Sequence, residues 1–270
     1  MVPSSWAGTG AATRRTLQAQ VLSDLHFECG TPFDVPAAQA DILILAGDIH
    51  EGLRGVEWAI AQARRLEIPV LYVFGNHEFY GQRFPSLFTE ARLRCHGSGV
   101  HILERDTFTF GDVRFLGCTL WSDFQLYGAG HADFCREYAR VHMPDYEAIL
   151  TRDGRPLQPE DTTWVFQQSL QWLEQQLKSP WKGRTVVITH HAPIYYASEP
   201  ENDNSPLAAA MISNHPSLLQ NTCVDTWIHG HTHHNINARI LNTHVISHQQ
   251  GYPHEEVCGE PFAPERTFAL

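Results

Sequence analysis

Short apolar runs that stop at polar, turn-prone clusters recur along this chain. Residues 16–22, 42–46 and 70–74 are rich in branched side chains and too short for helices, so each reads as a buried strand. Between the second and third, Val56, Ala59, Ile60, Ala63 and Leu66 recur at helical spacing, and Pro69 follows as a stop. Strand, helix and strand in that order predict parallel pairing, because the crossover returns the chain to the same end of the sheet. Farther on, residues 107–110 and 113–117 alternate on either side of Gly111-Asp112, the pattern of a hairpin. Residues 162–178 carry one apolar face, Phe166, Leu170, Leu173 and Leu177, with Pro180 just beyond it, and Val186-Val187-Ile188 returns to a buried strand.

No internal repeat is visible, so one domain is expected over residues 16–270, with a helical insertion around 121–180. Residues 1–15, rich in Ser, Gly, Ala and Thr, read as a flexible tail. The polar, Pro-containing stretch 198–206 reads as a surface connection, with a lid over a site as the alternative.

Composition narrows the functional class. At 270 residues, 43% apolar and 18% charged, the chain is ordinary for a globular protein. Its apolar runs fall well short of the roughly 20 residues a membrane span needs. Residues 1–15 lack the apolar core of a secretory signal, so a cytoplasmic protein without a membrane partner is expected. Six cysteines without a Cys-x-x-Cys pair suggest free thiols rather than a zinc ribbon or disulfide framework. A net charge of -11 argues against nucleic acid as a partner. It does not argue against a small phosphorylated substrate, since bound divalent ions would reverse the sign locally.

The candidate chemistry lies in five segments at the ends of apolar runs: Ser23-Asp24-Leu25-His26, Gly47-Asp48, Gly75-Asn76-His77-Glu78, Thr189-His190-His191 and Gly230-His231-Thr232-His233. One such segment alone is by default a turn or cap. Together they offer carboxylate, imidazole and amide ligands without thiolate, the mixture that suits two divalent cations. Asp24 and His26, two residues apart, would face one cavity if the chain stays extended there. Gly47 permits a sharp turn before Asp48, whose two oxygens can bridge two ions. His190 and His191, as neighbours on a strand, are expected to point to opposite sides, so that only one reaches the site.

The order Asp-x-His, Gly-Asp, Gly-Asn-His-Glu, His, Gly-His-x-His resembles the calcineurin-like metallophosphoesterase superfamily, with motifs covering residues 23–233. The resemblance implies an α/β fold of the α+β type, a four-layer sandwich of two mixed β-sheets flanked by helices. It also implies a metal-dependent phosphoester hydrolase. Asp24, His26, Asp48 and His233 would hold one ion, and Asp48, Asn76, His190 and His231 the other. The nucleophile would be a metal-bridging hydroxide, and His77, not a ligand, would be the general acid. His190 rather than His191 is the ligand by the family pattern. Manganese, iron, zinc or a mixture suits such ligands. A catalytically silent binding scaffold on the same fold is the alternative; occupation of all eight positions by the right residue types argues for an enzyme.

Around this set, His229 and His234 are candidates to hydrogen-bond the ligands, with surface or core placement the equal alternative, and His50 reads as a solvated loop residue, with lining of the substrate pocket as the alternative. Asp123, Tyr127, His131, Tyr138, Met143 and Tyr146, in the insertion, read as helical-subdomain packing rather than a base-stacking box. His248-Gln249-Gln250-Gly251-Tyr252 departs from the Asn-Pro-x-Gly-Tyr of related sequences, so no subgroup's specificity carries over. The motifs report on metals and phosphoryl oxygens and leave the choice between monoester and diester, and between monomer and homodimer, open.

Overall fold

The computed structural model describes residues 15–195, 205–220 and 223–270. The expected tail therefore lies outside the described residues except for Arg15, which ion-pairs with Asp41. The expected lid lies outside them except for Ser205 and Pro206.

Along the chain run β1 (Gln18–Leu22), β2 (Ile42–Leu45), α1 (Arg54–Leu66), β3 (Val70–Tyr72), β4 (Arg83–Phe84), α2 (Ser86–Cys95), β5 (Val100–Ile102), β6 (Asp106–Phe110) and β7 (Val113–Cys118). Then come α3 (Ala132–His142), α4 (Asp145–Ala148), β8 (Leu150–Thr151), α5 (Pro159–Lys178), β9 (Arg184–Thr189), α6 (Ala208–Met211), α7 (Pro216–Gln220), β10 (Thr226–His229), β11 (His234–Ile240), β12 (Thr243–Ser247), β13 (Cys258–Gly259) and β14 (Thr267–Ala269). One sheet has the order β14-β1-β2-β3-β5 and the other β13-β11-β12-β10-β9-β7-β6; β4 and β8 form a separate pair. Both large sheets are mixed. β1, β2, β3 and β5 are parallel with β14 antiparallel at the edge, while β7, β9, β10 and β12 are parallel between antiparallel partners β6 and β11.

Alternation along the strands produces the layers. Val21, Ile42, Ile44 and Leu71 of one sheet meet Phe115, Val186, Ile188, Ile228 and Ile246 of the other in one buried cluster. The intervening residues, Leu43, Leu45, Val70, Tyr72, Leu116, Val187, Trp227 and Val245, face outward into a second buried cluster that includes residues of α1, α2 and α5. This is the expected sandwich of mixed sheets flanked by helices. The predicted parallel crossover is present, with Leu43 opposite Val70, and so is the hairpin, with Phe110 opposite Val113. α5 starts three residues earlier than its apolar face suggested, because Pro159 opens its first turn and Asp161 accepts from the Gln158 N–H. Among the described residues, no helix is long and apolar enough to cross a membrane.

Candidate metal centre

Parallel strands within a sheet deliver their carboxyl ends to one side, which is why the five motifs converge. Asp24 and His26 follow β1, Asp48 follows β2, Asn76 and His77 follow β3, His190 follows β9, and His231 and His233 follow β10. The local backbone differs from the extended path expected between Asp24 and His26. Both are left-handed, with φ of 52° and 44°, as are Asp48 at 54°, His231 at 69° and His233 at 48°. Such turns are costly for residues with a Cβ, so the surrounding packing must hold them. Kinks, not strand alternation, turn both side chains of each pair inward. The glycines ahead of the ligands are required by close approach: a Cβ on Gly75 would lie 2.1 Å from Asp48 Oδ1 and 2.6 Å from His190 Cε1.

Two groups of ligand atoms result, and a third, of His26, Asp48 and His77, overlaps them. In one, His26 Nε2 lies 3.2 Å from His233 Nε2, His233 Nε2 is 3.5 Å from Asp24 Oδ1, and His26 Nε2 is 4.0 Å from Asp48 Oδ2. In the other, His190 Nε2 lies 3.1 Å from Asn76 Oδ1, 3.1 Å from His231 Nδ1 and 3.3 Å from Asp48 Oδ2. Asp48 belongs to both.

The outer nitrogens decide what these atoms are. His26 Nδ1 donates to Glu28 at 2.8 Å, His233 Nδ1 to Glu255 at 2.7 Å, and His190 Nδ1 to the Ala46 carbonyl at 2.8 Å. In each neutral ring the proton is therefore on Nδ1, and the Nε2 lone pair faces inward. Inward lone pairs then confront one another and the oxygens of Asp24, Asp48 and Asn76, an arrangement of acceptors facing acceptors that metal ions, or protons in their place, satisfy. The donor set fits divalent metal ions.

Without the cations, protons compete for the same lone pairs. Burial opposes charge on His190, but Asp48 and then Asp24 lift it to about 9. Burial likewise opposes charge on His233, and Asp24 and Glu255 lift it to about 10. His231 is held well below its ordinary value by burial and by the neighbouring His191 and His190. Asp48 stays well below the usual carboxylate range, since His190 and His77 outweigh the burial that would raise it.

His77 begins a single 3-10 turn, His77–Phe79, and its ring lies within reach of the His26 and Asp48 ligand atoms. Its Nδ1 donates to Glu28 Oε1 at 2.9 Å, and its Nε2 lies 3.1 Å from the Tyr252 hydroxyl and 4.0 Å from Asp48 Oδ2. Burial works against its charging, yet Asp48 and Glu28 raise it to about 9. The ring stacks on Tyr80 at 4.3 Å between centroids.

Several supporting residues were not evident in the sequence. Glu28 shares Oε1 between His26 and His77; its two-residue spacing from His26 repeats the Asp24-to-His26 step, a signal that could have been followed. Asp145 accepts from Asn76 Nδ2 at 2.9 Å and from Tyr80 at 2.7 Å, turning the amide oxygen toward His190; nothing in its position announces this. Glu255 holds His233. The fully buried Glu78 accepts from the N–H groups of Asp48, Ile49 and Gly75 and from the Tyr72 hydroxyl, tying two motif loops together.

Other expectations need correction. His229 and His234 hydrogen-bond no ligand side chain among the described residues: His229 Nδ1 pairs with the Gly230 carbonyl, and Glu28, Asp145 and Glu255 hold the ligands instead. His191 does not point away from the site. β9 ends at Thr189, so strand alternation no longer applies, and the His191 ring lies 4.2 Å from that of His231. His190 nevertheless is the one whose nitrogen joins the ligand group. His50 is half-buried, with Nδ1 3.9 Å from Glu28, rather than solvated.

A cavity of about 300 Å³ opens over the cluster, lined among others by Tyr80, Met143, Pro144, Met211, Tyr252 and Glu255. Of the six insertion residues, Met143 alone lines it. Tyr146 is buried against Thr162, Tyr138 packs beside His142, Asp123 pairs with His215, and Tyr127 and His131 bond to backbone carbonyls. The insertion's aromatic residues are thus packing, and the aromatic walls come from Tyr80 and Tyr252. The segment that departs from its relatives' pattern lies at the site: Tyr252 stacks on His26 at 4.2 Å and the Gly251 N–H donates to the Asp24 carbonyl.

The chain matches the family model described as calcineurin-like phosphoesterase over residues 19–235. It is 26% identical over 271 residues to an uncharacterized protein of Acanthamoeba polyphaga mimivirus, covering 90% of this chain and 94% of that one. It is 24% identical over 212 residues to the manganese-dependent ADP-ribose/CDP-alcohol diphosphatases of Mus musculus and Homo sapiens, covering 69% of this chain and 61% of theirs. The crystal structure of a phosphopantetheinyl hydrolase from Mycobacterium tuberculosis shares the fold with a TM-score of 0.67 at 16% identity, covering 88% of this chain and 90% of that one. The chain belongs to the calcineurin-like phosphoesterases, and its activity is metal-dependent phosphoester hydrolysis.

Proposed function

From membership of the calcineurin-like phosphoesterases, we propose that the protein hydrolyses a small phosphorylated substrate at a dinuclear centre with His77 as general acid. The carrying observation is the set of inward-facing histidine lone pairs, each fixed by a carboxylate or carbonyl on the opposite nitrogen. Asp24, His26, Asp48 and His233 would hold one ion, and Asp48, Asn76, His190 and His231 the other. Manganese is the proposed ion, as it is for the mouse and human diphosphatases. Two such ions, when bound, would supply water activation and neutralisation of phosphoryl oxygens for an in-line displacement.

The chain's own part is positioning and proton delivery. Glu28 fixes one proton on His77 Nδ1, which leaves Nε2 to carry the proton given up. The Tyr252 hydroxyl, 3.1 Å from Nε2, lies where a leaving oxygen would accept it. Asp48 and Glu28 favour the protonated ring at neutral pH, the state an acid needs. Asp145 fixes the Asn76 amide, and Tyr80 supports the His77 ring from its face.

The test is hydrolysis of bis(p-nitrophenyl) phosphate and p-nitrophenyl phosphate by metal-stripped protein with manganese returned. Release should depend on manganese, and His77→Ala should lower kcat by about 100-fold or more. Metal-independent release, or a His77→Ala variant as fast as the parent, would overturn the assignment.

A further inference from the structure

We infer that the site selects phosphodiesters, with one negative charge at the reacting phosphorus, over dianionic phosphomonoesters; this deepens the hydrolase reading and rests on it. Three observations carry it. The first is charge. Asp24 and Asp48 are in the ligand set, Glu28 hydrogen-bonds His26, Asp145 hydrogen-bonds Asn76, and Glu255 hydrogen-bonds His233. Those five carboxylates are matched by the four positive charges of two divalent ions and that of a protonated His77, so no surplus positive charge remains for a second negative charge on the substrate.

The second observation is what the walls lack. Among the described residues, no lysine or arginine lines the cavity, although a guanidinium fork is the usual partner of a terminal phosphate. The third is what the walls offer. Tyr80, Met143, Pro144, Met211 and Tyr252 present apolar and aromatic surface beside the ligand cluster, suited to organic groups on both ester arms. A monoester has one such arm and spends the other side of its phosphorus on charge.

The experiment compares methyl p-nitrophenyl phosphate with p-nitrophenyl phosphate on the manganese-loaded protein, since the pair shares a leaving group and differs in one methyl and one charge. We expect kcat/KM to favour the diester by about tenfold or more. Equal values, or a preference for the monoester, would overturn the inference while leaving the hydrolase reading intact. Silence on both would fell the hydrolase reading and this inference with it. Met143→Arg and, separately, Met211→Arg add a cation to the wall. Either should raise kcat/KM for the monoester and narrow the ratio; an unchanged ratio in both, with manganese binding retained, would refute charge as the cause.

Discussion

Asn76 can serve as a ligand through its oxygen only if its nitrogen is occupied elsewhere, and the residue that occupies it is Asp145, 69 positions along the chain. Asp145→Ala frees the amide to flip, so manganese affinity should fall by about 10- to 100-fold. Titration calorimetry of the metal-stripped protein measures this, and an unchanged affinity would dismiss the orienting role. A second prediction concerns pH. Ligation requires neutral imidazoles, whereas His190 and His233 in the metal-free chain hold protons up to about 9 and 10. Both values are raised above the unfolded one. Their protonated forms therefore stabilise the metal-free chain fully below about pH 6.5, and that stability is lost as pH rises through 9 and 10. Metal binding runs the other way: between pH 8.5 and 6.5 the apparent affinity should fall by about 10²- to 10⁴-fold, up to tenfold per unit for each histidine. A flat profile would mean that these rings do not bind metal.

At the scale of elements, Glu78 joins the loop after β2 to the turn after β3, accepting three backbone N–H groups and one hydroxyl in a fully buried setting. Removing the carboxylate strands those donors, so Glu78→Ala should cost about 3 kcal/mol or more in urea unfolding, against about 1 kcal/mol for Tyr72→Phe. Equal costs would show that the backbone donors find other partners. The contrast marks what sequence can convey. Strand ends were legible because apolar runs stop at Ser23, Gly47, Gly75 and Gly230, and the types of side chain that follow announce ligands. The left-handed turns at Asp24, His26, Asp48, His231 and His233 were not, because these residues do not prefer that backbone and adopt it only under tertiary constraint. Asp145 and Glu255 were invisible for a related reason: a hydrogen bond across many tens of residues, or to a ring whose own position is unknown, leaves no local period.

At the scale of the whole molecule, the candidate ligands come from both sheets. Asp24, His26, Asp48 and Asn76 follow strands of the five-stranded sheet, and His190, His231 and His233 follow strands of the seven-stranded one. Asp24 and His26 meet His233, and Asp48 meets His190 and His231, so an ion bound at either place would cross-link the layers at one end while the apolar cluster joins them along their length. Binding to the folded chain alone adds about 2.7 kcal/mol per ion at a hundredfold excess over Kd. For a chain of this size that should raise Tm by at least about 5 °C per ion. Calorimetry with and without manganese tests the coupling, and Asp48→Asn supplies the control, because Asp48 belongs to both groups and its loss should shrink the shift for both ions together. A full shift in that variant would mean that the ions bind at one sheet only and that the shared carboxylate does not join them.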